Sequence, residues 1–272
     1  MMSNEVLWNS RRKLLSKHNL IHCITNPISM NDCANAVLAL GGRPIMAQHP
    51  DEVKAITETS QALALNLGNF DDVRSKAMRI SLHTARQHSI PVILDLVGVG
   101  CSKLRLAYAQ TLIKECCPDV LKGNLSEIRA IAGKDSHALG IDVGDQDIES
   151  VNTSAAWIKQ FANQCHCVIL CSGKVDIISD GIHTYTVENG CEMMTLCTGT
   201  GCMLNVITAS FLSVMHTLDA CVLASSYFGV AAQLCNQTAK TPGTFHYQLF
   251  DWLYALQEDE FKRYAKISEV NV

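Results

Sequence analysis

Residues 194–211 read MTLCTGTGCMLNVITASF, a glycine turn set directly before an apolar run, with Cys202 at the junction. If a helix begins there, its first backbone N–H groups lack intrahelical partners and sit at the positive end of the dipole. That makes a cradle for an anion such as a transferring phosphoryl group, and Gly199 and Gly201 would let it come close. The same dipole end favours a thiolate, which predicts a Cys202 pKa drawn toward neutral pH. The residues alone leave two readings level: an anion site, and a glycine turn with a packed cysteine. A cysteine nucleophile would need a nearby histidine, and none of His22, His83 and His166 sits in a recognisable local signature.

Asp95 follows one apolar run and Glu127 comes shortly after another. If those runs are neighbouring strands, the two carboxylates can hold Mg²⁺ through its waters, since that ion prefers few protein oxygens plus phosphate. The plainer alternative is that both are helix-start acids favoured by the dipole. Lys122, close to Asn124, could meet phosphate oxygens, although a lone lysine after a strand is usually just solvated. The common nucleotide fingerprints fail. Gly133-Lys134 and Gly173-Lys174 lack the rest of a Walker loop, and Gly98-Val-Gly100 lacks the third glycine of a dinucleotide fingerprint.

The elements that must position these residues follow one rhythm. Short apolar runs at 20–25, 43–46, 62–67, 91–96, 120–122 and 167–171 alternate with helical segments at 29–40, 71–87, 104–116 and 126–132. This is the pattern of a parallel sheet with helices on its faces, and ligands bind such sheets beyond the strands' carboxyl ends. Runs at 176–179 and 183–187 flank Asp180-Gly181, which predicts an antiparallel hairpin added to the sheet. Residues 203–215 are apolar nearly all round and predict a buried helix, and 218–234 are rich in small residues suited to close packing. The interval 134–147 is the most polar and reads as a loop.

With 272 residues, 48% of them hydrophobic, the chain can bury one large core, and the expectation is a single domain over 1–272. A formal charge of −4 gives no general pull toward nucleic acid or anionic membrane, so small-molecule partners are expected. Thirteen irregularly spaced cysteines and a charged N-terminus point to the reducing cytoplasm. Cys165 and Cys167 flank His166 without a second pair at metal-ligand spacing, and Cys116-Cys117-Pro118 reads as a helix end. No apolar run reaches the ~18 residues expected of a membrane span.

The ordered set HCITNPISMNDCANAVLALGGRPIMA, ALNLGNF, VILDLVGVG, LKGNLSEI, LCSGKVDIISDG, CTGTGCML, SSYFGVAAQ and TPGTFHYQLFDWL resembles the hydroxyethylthiazole kinases of the ribokinase-like superfamily. The likeness runs from about His22 to Leu256. It implies a three-layer α/β/α sandwich with no separate lid domain. It also implies Mg²⁺, ATP and transfer of the γ-phosphoryl group to the alcohol of 4-methyl-5-(2-hydroxyethyl)thiazole, in thiamine biosynthesis. Carried over by position, Met46 and Gly199 match substrate-contacting sites, Lys122 and Ser172 ATP-contacting sites, and Asp95 and Glu127 acidic positions near the metal. Cys202 stands where most of the superfamily keeps an aspartate base. The resemblance further implies a homotrimer with active sites at subunit boundaries. Leu96 replaces the usual proline and Val99 a usual small residue, so the loop after Asp95 is expected to be shaped differently. The alternatives are a hydroxymethylpyrimidine-type kinase, a non-catalytic nucleotide- or thiamine-precursor-binding protein on the same fold, and a thiol hydrolase using Cys202.

Overall fold

A computed structural model describes residues 4–134 and 150–272. All of the expected polar loop past Lys134 therefore lies outside the described residues. The described strands form one sheet in the order β2-β1-β3-β4-β5-β6-β7-β8-β9. They are β1 (Leu20–Ile24), β2 (Arg43–Ile45), β3 (Ala62–Asn66), β4 (Val92–Asp95), β5 (Val120–Asn124), β6 (Val168–Ser172), β7 (Asp176–Ser179), β8 (Thr184–Val187) and β9 (Ile267–Glu269). Strands β1 to β6 pair in parallel and β6 to β9 antiparallel. The hairpin expected at Asp180-Gly181 is present. Asp180 Oδ1 accepts the N–H groups of Ile182 and His183, and Gly181 takes φ +90°.

Two hydrophobic clusters lie on opposite faces of this sheet and make it a three-layer α/β/α sandwich. One face carries α1 (Asn4–Lys17), α2 (Met30–Ala39), α8 (Thr200–Leu212), α9 (Thr217–Thr238), α10 (Pro242–Ala255) and α11 (Glu258–Tyr264). The other carries α3 (Val53–Thr59), α4 (Asp72–Gln87), α5 (Lys103–Glu115), α6 (Leu125–Ile131) and α7 (Val151–Cys165). Strand alternation assigns the faces. In β3, Ala62 and Ala64 join the first cluster, while Leu63 and Leu65 join the second. The alanines leave room for α8, whose Asn205 reaches the Leu65 carbonyl at 3.1 Å in a buried bond.

Helix α8 is buried around nearly its whole circumference, as its all-round apolar sequence requires. Helix α9 is the one described helix long and apolar enough to cross a membrane, and it is mostly buried inside the fold. Asp71 caps α4 by accepting the Arg74 N–H at 2.8 Å. Cys116 caps the end of α5, the helix end expected there.

The strand order carries one functional consequence. The chain leaves β1 for β2 on one side and returns to β3 on the other, so the order reverses between β1 and β3. Such a switch opens a crevice beyond the strands' carboxyl ends, the usual ligand position in open α/β sheets.

Candidate active site

Parallel register lines up three polar residues at the carboxyl edge. Asn66 of β3 pairs with Asp95 of β4, which pairs with Lys122 of β5. Each stands two residues beyond a member of the α8-facing cluster, Ala64, Ile93 and Val120 respectively, so all three side chains rise on that face. They are joined directly. Lys122 Nζ donates to Asp95 Oδ1 at 2.9 Å, and Asn66 Nδ2 donates to Asp95 Oδ2 at 2.9 Å. Lys122 is 3% exposed and Asp95 0%. The solvated lysine and the helix-start aspartate that the plainer readings described are therefore both absent.

Burial pulls the Lys122 pKa down, but the charge and hydrogen bond of Asp95, with Glu127 and Cys202 adding to them, hold the ammonium above its ordinary value. Burial likewise lifts the Asp95 carboxyl, with Lys122 and Asn66 drawing it back. Breaking such a buried pair by removing one partner typically costs about 3–5 kcal/mol.

The glycine turn lies over this row. Gly199 has φ +89°, an allowed conformation for glycine and a costly one for a side chain. A Cβ there would also stand 3.0 Å from Ser29 Cβ, just before α2. Gly201 is placed so that a Cβ would lie 3.7 Å from Lys122 Nζ. The N-terminal turn of α8 thus sits against the lysine ammonium, and both present positive potential to the same place.

Cys202 sits at the crevice between β1 and β3. Its Sγ accepts from Asn26 Nδ2 at 3.1 Å and from Asn66 Nδ2 at 3.4 Å. The expectation that the helix dipole draws this thiol toward neutral pH is not met. Burial, reinforced by the Asp95 charge, holds it above the ordinary thiol value, and hydrogen bonds from Ser29 and Asn26 with the Lys122 charge offset only part of this.

Glu127 is a cap and a loop anchor at once. Its carboxylate accepts the Asn124 N–H at 2.8 Å while Asn124 Oδ1 accepts the Glu127 N–H at 2.9 Å, a capping box opening α6. Its other oxygen accepts the Gly98 N–H at 2.7 Å and so fixes the loop that follows Asp95. Burial and the Asp95 charge raise its pKa to about 7.

The loop also accounts for Leu96. Its N–H donates to the Lys122 carbonyl at 2.8 Å, a bond that proline, the usual residue there, has no donor to make. Val99 is buried and closes a turn onto the Leu96 carbonyl at 3.1 Å.

Both Asp95 oxygens and both Glu127 oxygens already accept protein donors. No cluster of three or more metal-ligating side chains occurs among the described residues. That donor set does not build a protein cage. It does fit a hydrated Mg²⁺ held through its waters, because each carboxylate oxygen keeps a second lone pair.

The remaining expected residues are more dispersed. Ser172 ends β6 beside Asn124, with its hydroxyl 3.4 Å from the Gly123 carbonyl. Met46 follows β2 and packs, half-buried, on the cluster that contains Cys202. Sequence reading did not give Asn26 and Asn66 a role. Their one signal was position, since each lies at or just past the end of a strand.

A reversed sheet order, a glycine turn opening a buried helix, and a lysine–carboxylate pair beneath that turn agree with the ribokinase-like kinase class that the sequence resembles. A solved ribokinase-like superfamily protein from Enterococcus faecalis V583 shares this fold, with TM-score 0.61 and 12% identity over 93% of this chain and 94% of that one. Residues 12–259 match the model of the hydroxyethylthiazole kinase family. Hydroxyethylthiazole kinase 2 of Clostridium botulinum (strain Hall) is 49% identical over 252 residues, 92% of this chain and 95% of that protein. The solved hydroxyethylthiazole kinase of Pyrococcus horikoshii OT3 superposes with TM-score 0.89 and 33% identity, covering 98% of this chain and all of that one. The chain belongs to the hydroxyethylthiazole kinase family.

Proposed function

We propose that the chain transfers the γ-phosphoryl group of ATP to the primary alcohol of 4-methyl-5-(2-hydroxyethyl)thiazole, within thiamine biosynthesis. The observation that carries this reading is the placement of Cys202 at the β1/β3 switch point, on the same turn that lies over the Lys122–Asp95 pair. Phosphoryl transfer asks a protein mainly for positioning and charge stabilisation, which is what this arrangement offers.

Each residue takes a part that its geometry supports. The N–H groups of the Gly199–Cys202 turn and the Lys122 ammonium face the developing phosphoryl charge. Ser172, at the end of β6, would meet the nucleotide, and Met46 and Gly199 the thiazole, as the family resemblance implies. Cys202 takes or orients the hydroxyl proton. The thiolate is the form that can take it, and although a raised pKa makes that form the minor one, a weak base suffices when the hydroxyl is held in line with the phosphorus. Asp95 and Glu127 would hold a Mg²⁺ ion, which would neutralise the phosphate tail when bound.

Residues 1–272 act as one kinase domain, a reading supported by a single described sheet with a core cluster on each face. All thirteen cysteines are free thiols, which supports a reducing, cytoplasmic location. The test is a Mg²⁺-dependent assay of ADP release. ADP should appear only when the thiazole alcohol is present, and release that is indifferent to the alcohol, or faster with a hydroxymethylpyrimidine, sinks the reading.

A further inference from the structure

Two buried carboxamides converge on the Cys202 sulfur, and hydrogen bonding fixes which way each one faces. Asn26 Oδ1 accepts the backbone N–H groups of Ile28 at 3.1 Å and Ser29 at 3.2 Å. Asn66 Oδ1 accepts the Gly68 N–H at 2.8 Å. Those donors demand an oxygen, so neither amide can be flipped, and both NH₂ groups must point the other way. Asn26 Nδ2 then reaches Cys202 Sγ and Asn66 Oδ1, while Asn66 Nδ2 reaches Cys202 Sγ and Asp95 Oδ2.

The surroundings hold this pair firmly. A Cβ at position 68 would stand 2.9 Å from both Asn26 Nδ2 and Asn66 Oδ1, so only glycine lets the loop pass this close. The buried Arg74 guanidinium of α4 pins the same loop through the carbonyls of Asn66, Gly68 and Asn69, at 2.7, 2.6 and 2.8 Å. The chain thus commits a strand end, a glycine and a buried arginine to two amides that share one sulfur.

We infer that Asn26 and Asn66 are positioning residues for the phosphoryl transfer, a pair of fixed N–H donors that orient the Cys202 sulfur and support negative charge on it. The inference rests on Cys202 as the group that takes the alcohol's proton. Two lone pairs of the sulfur are engaged by the amides, so a thiol proton must point away from them. A thiolate keeps its remaining lone pair for the substrate hydroxyl. In the step itself the alcohol O–H bond breaks as S–H forms, and the alcohol oxygen bonds to the γ-phosphorus. The bond from that phosphorus to the departing ADP oxygen breaks. As the proton arrives, the amides need not move. The charged groups around the sulfur are Asp95, which opposes a thiolate, and Lys122 and Arg74, which favour it. The Ser29 hydroxyl is a further neighbour.

Asn26→Asp is the informative variant. It keeps the oxygen that accepts from Ile28 and Ser29 and replaces the NH₂ that donates to Cys202 Sγ and Asn66 Oδ1 with a charged oxygen. Asn66→Ala is the second variant, and thermal melting confirms that each is folded. The first readout is the rate at which iodoacetamide labels Cys202, followed by peptide mass spectrometry, which needs no kinase activity. The second is kcat and KM in the parent and in a Cys202→Ala background. We expect labelling of Cys202 to slow about tenfold and kcat to fall about tenfold or more, with both KM values within about twofold of the parent. In the Cys202→Ala background, adding Asn26→Asp should cost no further kcat. Unchanged labelling, or an equal kcat loss with and without the cysteine, overturns the inference. Parental kcat in Cys202→Ala alone would instead defeat the base reading, while labelling still reports on the two amides.

Discussion

At the residue scale, Cys202 is a thiol raised by burial and hemmed by fixed donors, and its value to the reaction is positional. Cys202→Ala should leave ATP affinity intact and lower turnover by about 10²–10⁴-fold, while Cys202→Asp retains activity. Steady-state kinetics with equilibrium nucleotide binding separates the two effects; equal turnover in Cys202→Ala and the parent would falsify the base role. Asp176 tests the electrostatics of a different buried group. Its carboxylate accepts the Gly173 N–H at 2.9 Å and the Ser225 hydroxyl, and burial lifts its pKa from 3.8 to about 6. The folded chain therefore binds this proton more tightly than the unfolded chain. The stability it contributes is fully present below pH 3.8 and is lost as pH rises through about 6. Asparagine keeps the acceptor for Gly173. In urea unfolding, Asp176→Asn should gain on the parent by about 3 kcal/mol between pH 3.8 and pH 7.5. A constant difference across that range counts against the buried-charge account.

At the element scale, close approach decides where small residues are required. Gly229 lies within α9, where glycine ordinarily costs about 1 kcal/mol relative to alanine. Here a Cβ would fall 2.5 Å from Asn189 Cβ and 2.7 Å from its carbonyl carbon. Asn189 in turn accepts the Lys266 N–H at 2.7 Å and donates to the Tyr264 carbonyl at 2.9 Å, which ties the approach to β9. The clash should outweigh the helix-propensity gain, so Gly229→Ala should destabilise by about 1–3 kcal/mol. Calorimetry should show a lower Tm with kcat unchanged at 25 °C. A rise in Tm would mean that α9 can shift freely at this point.

At the scale of the whole molecule, two features bear on assembly. Strand β2 is the edge of the sheet among the described residues, and Ile28 and Leu38, at 62% and 55% exposure, stand on either end of the neighbouring α2 region. These fit the homotrimer that the family resemblance implies. Light scattering after size-exclusion chromatography should give three times the 29.8 kDa chain mass. Ile28→Glu should reduce that mass and the turnover together if the site lies at a subunit boundary. A monomeric parent with full activity rules the trimer out of the function.

How much of this was legible in the sequence depends on the range of the interaction. Apolar runs and their spacing located strands β1 to β8 within a few residues, because hydrophobic periodicity is a local property. Three-residue β9 was missed, since its pairing with β8 comes from a partner some 80 residues away and not from a pattern of its own. Helices α1, α3 and α7 were likewise passed over.

The sequence by itself determined the α/β class, the glycine turn and the family, because those rest on residue types and their order. Only the tertiary structure decided which strand ends are neighbours. Parallel register set Asn66, Asp95 and Lys122 side by side, and the order reversal between β1 and β3 brought Asn26 to Cys202 across 176 residues. It also reversed the expected sign at Cys202. The helix dipole can be read from a local sequence, whereas desolvation depends on everything that packs around the sulfur, and here desolvation prevails.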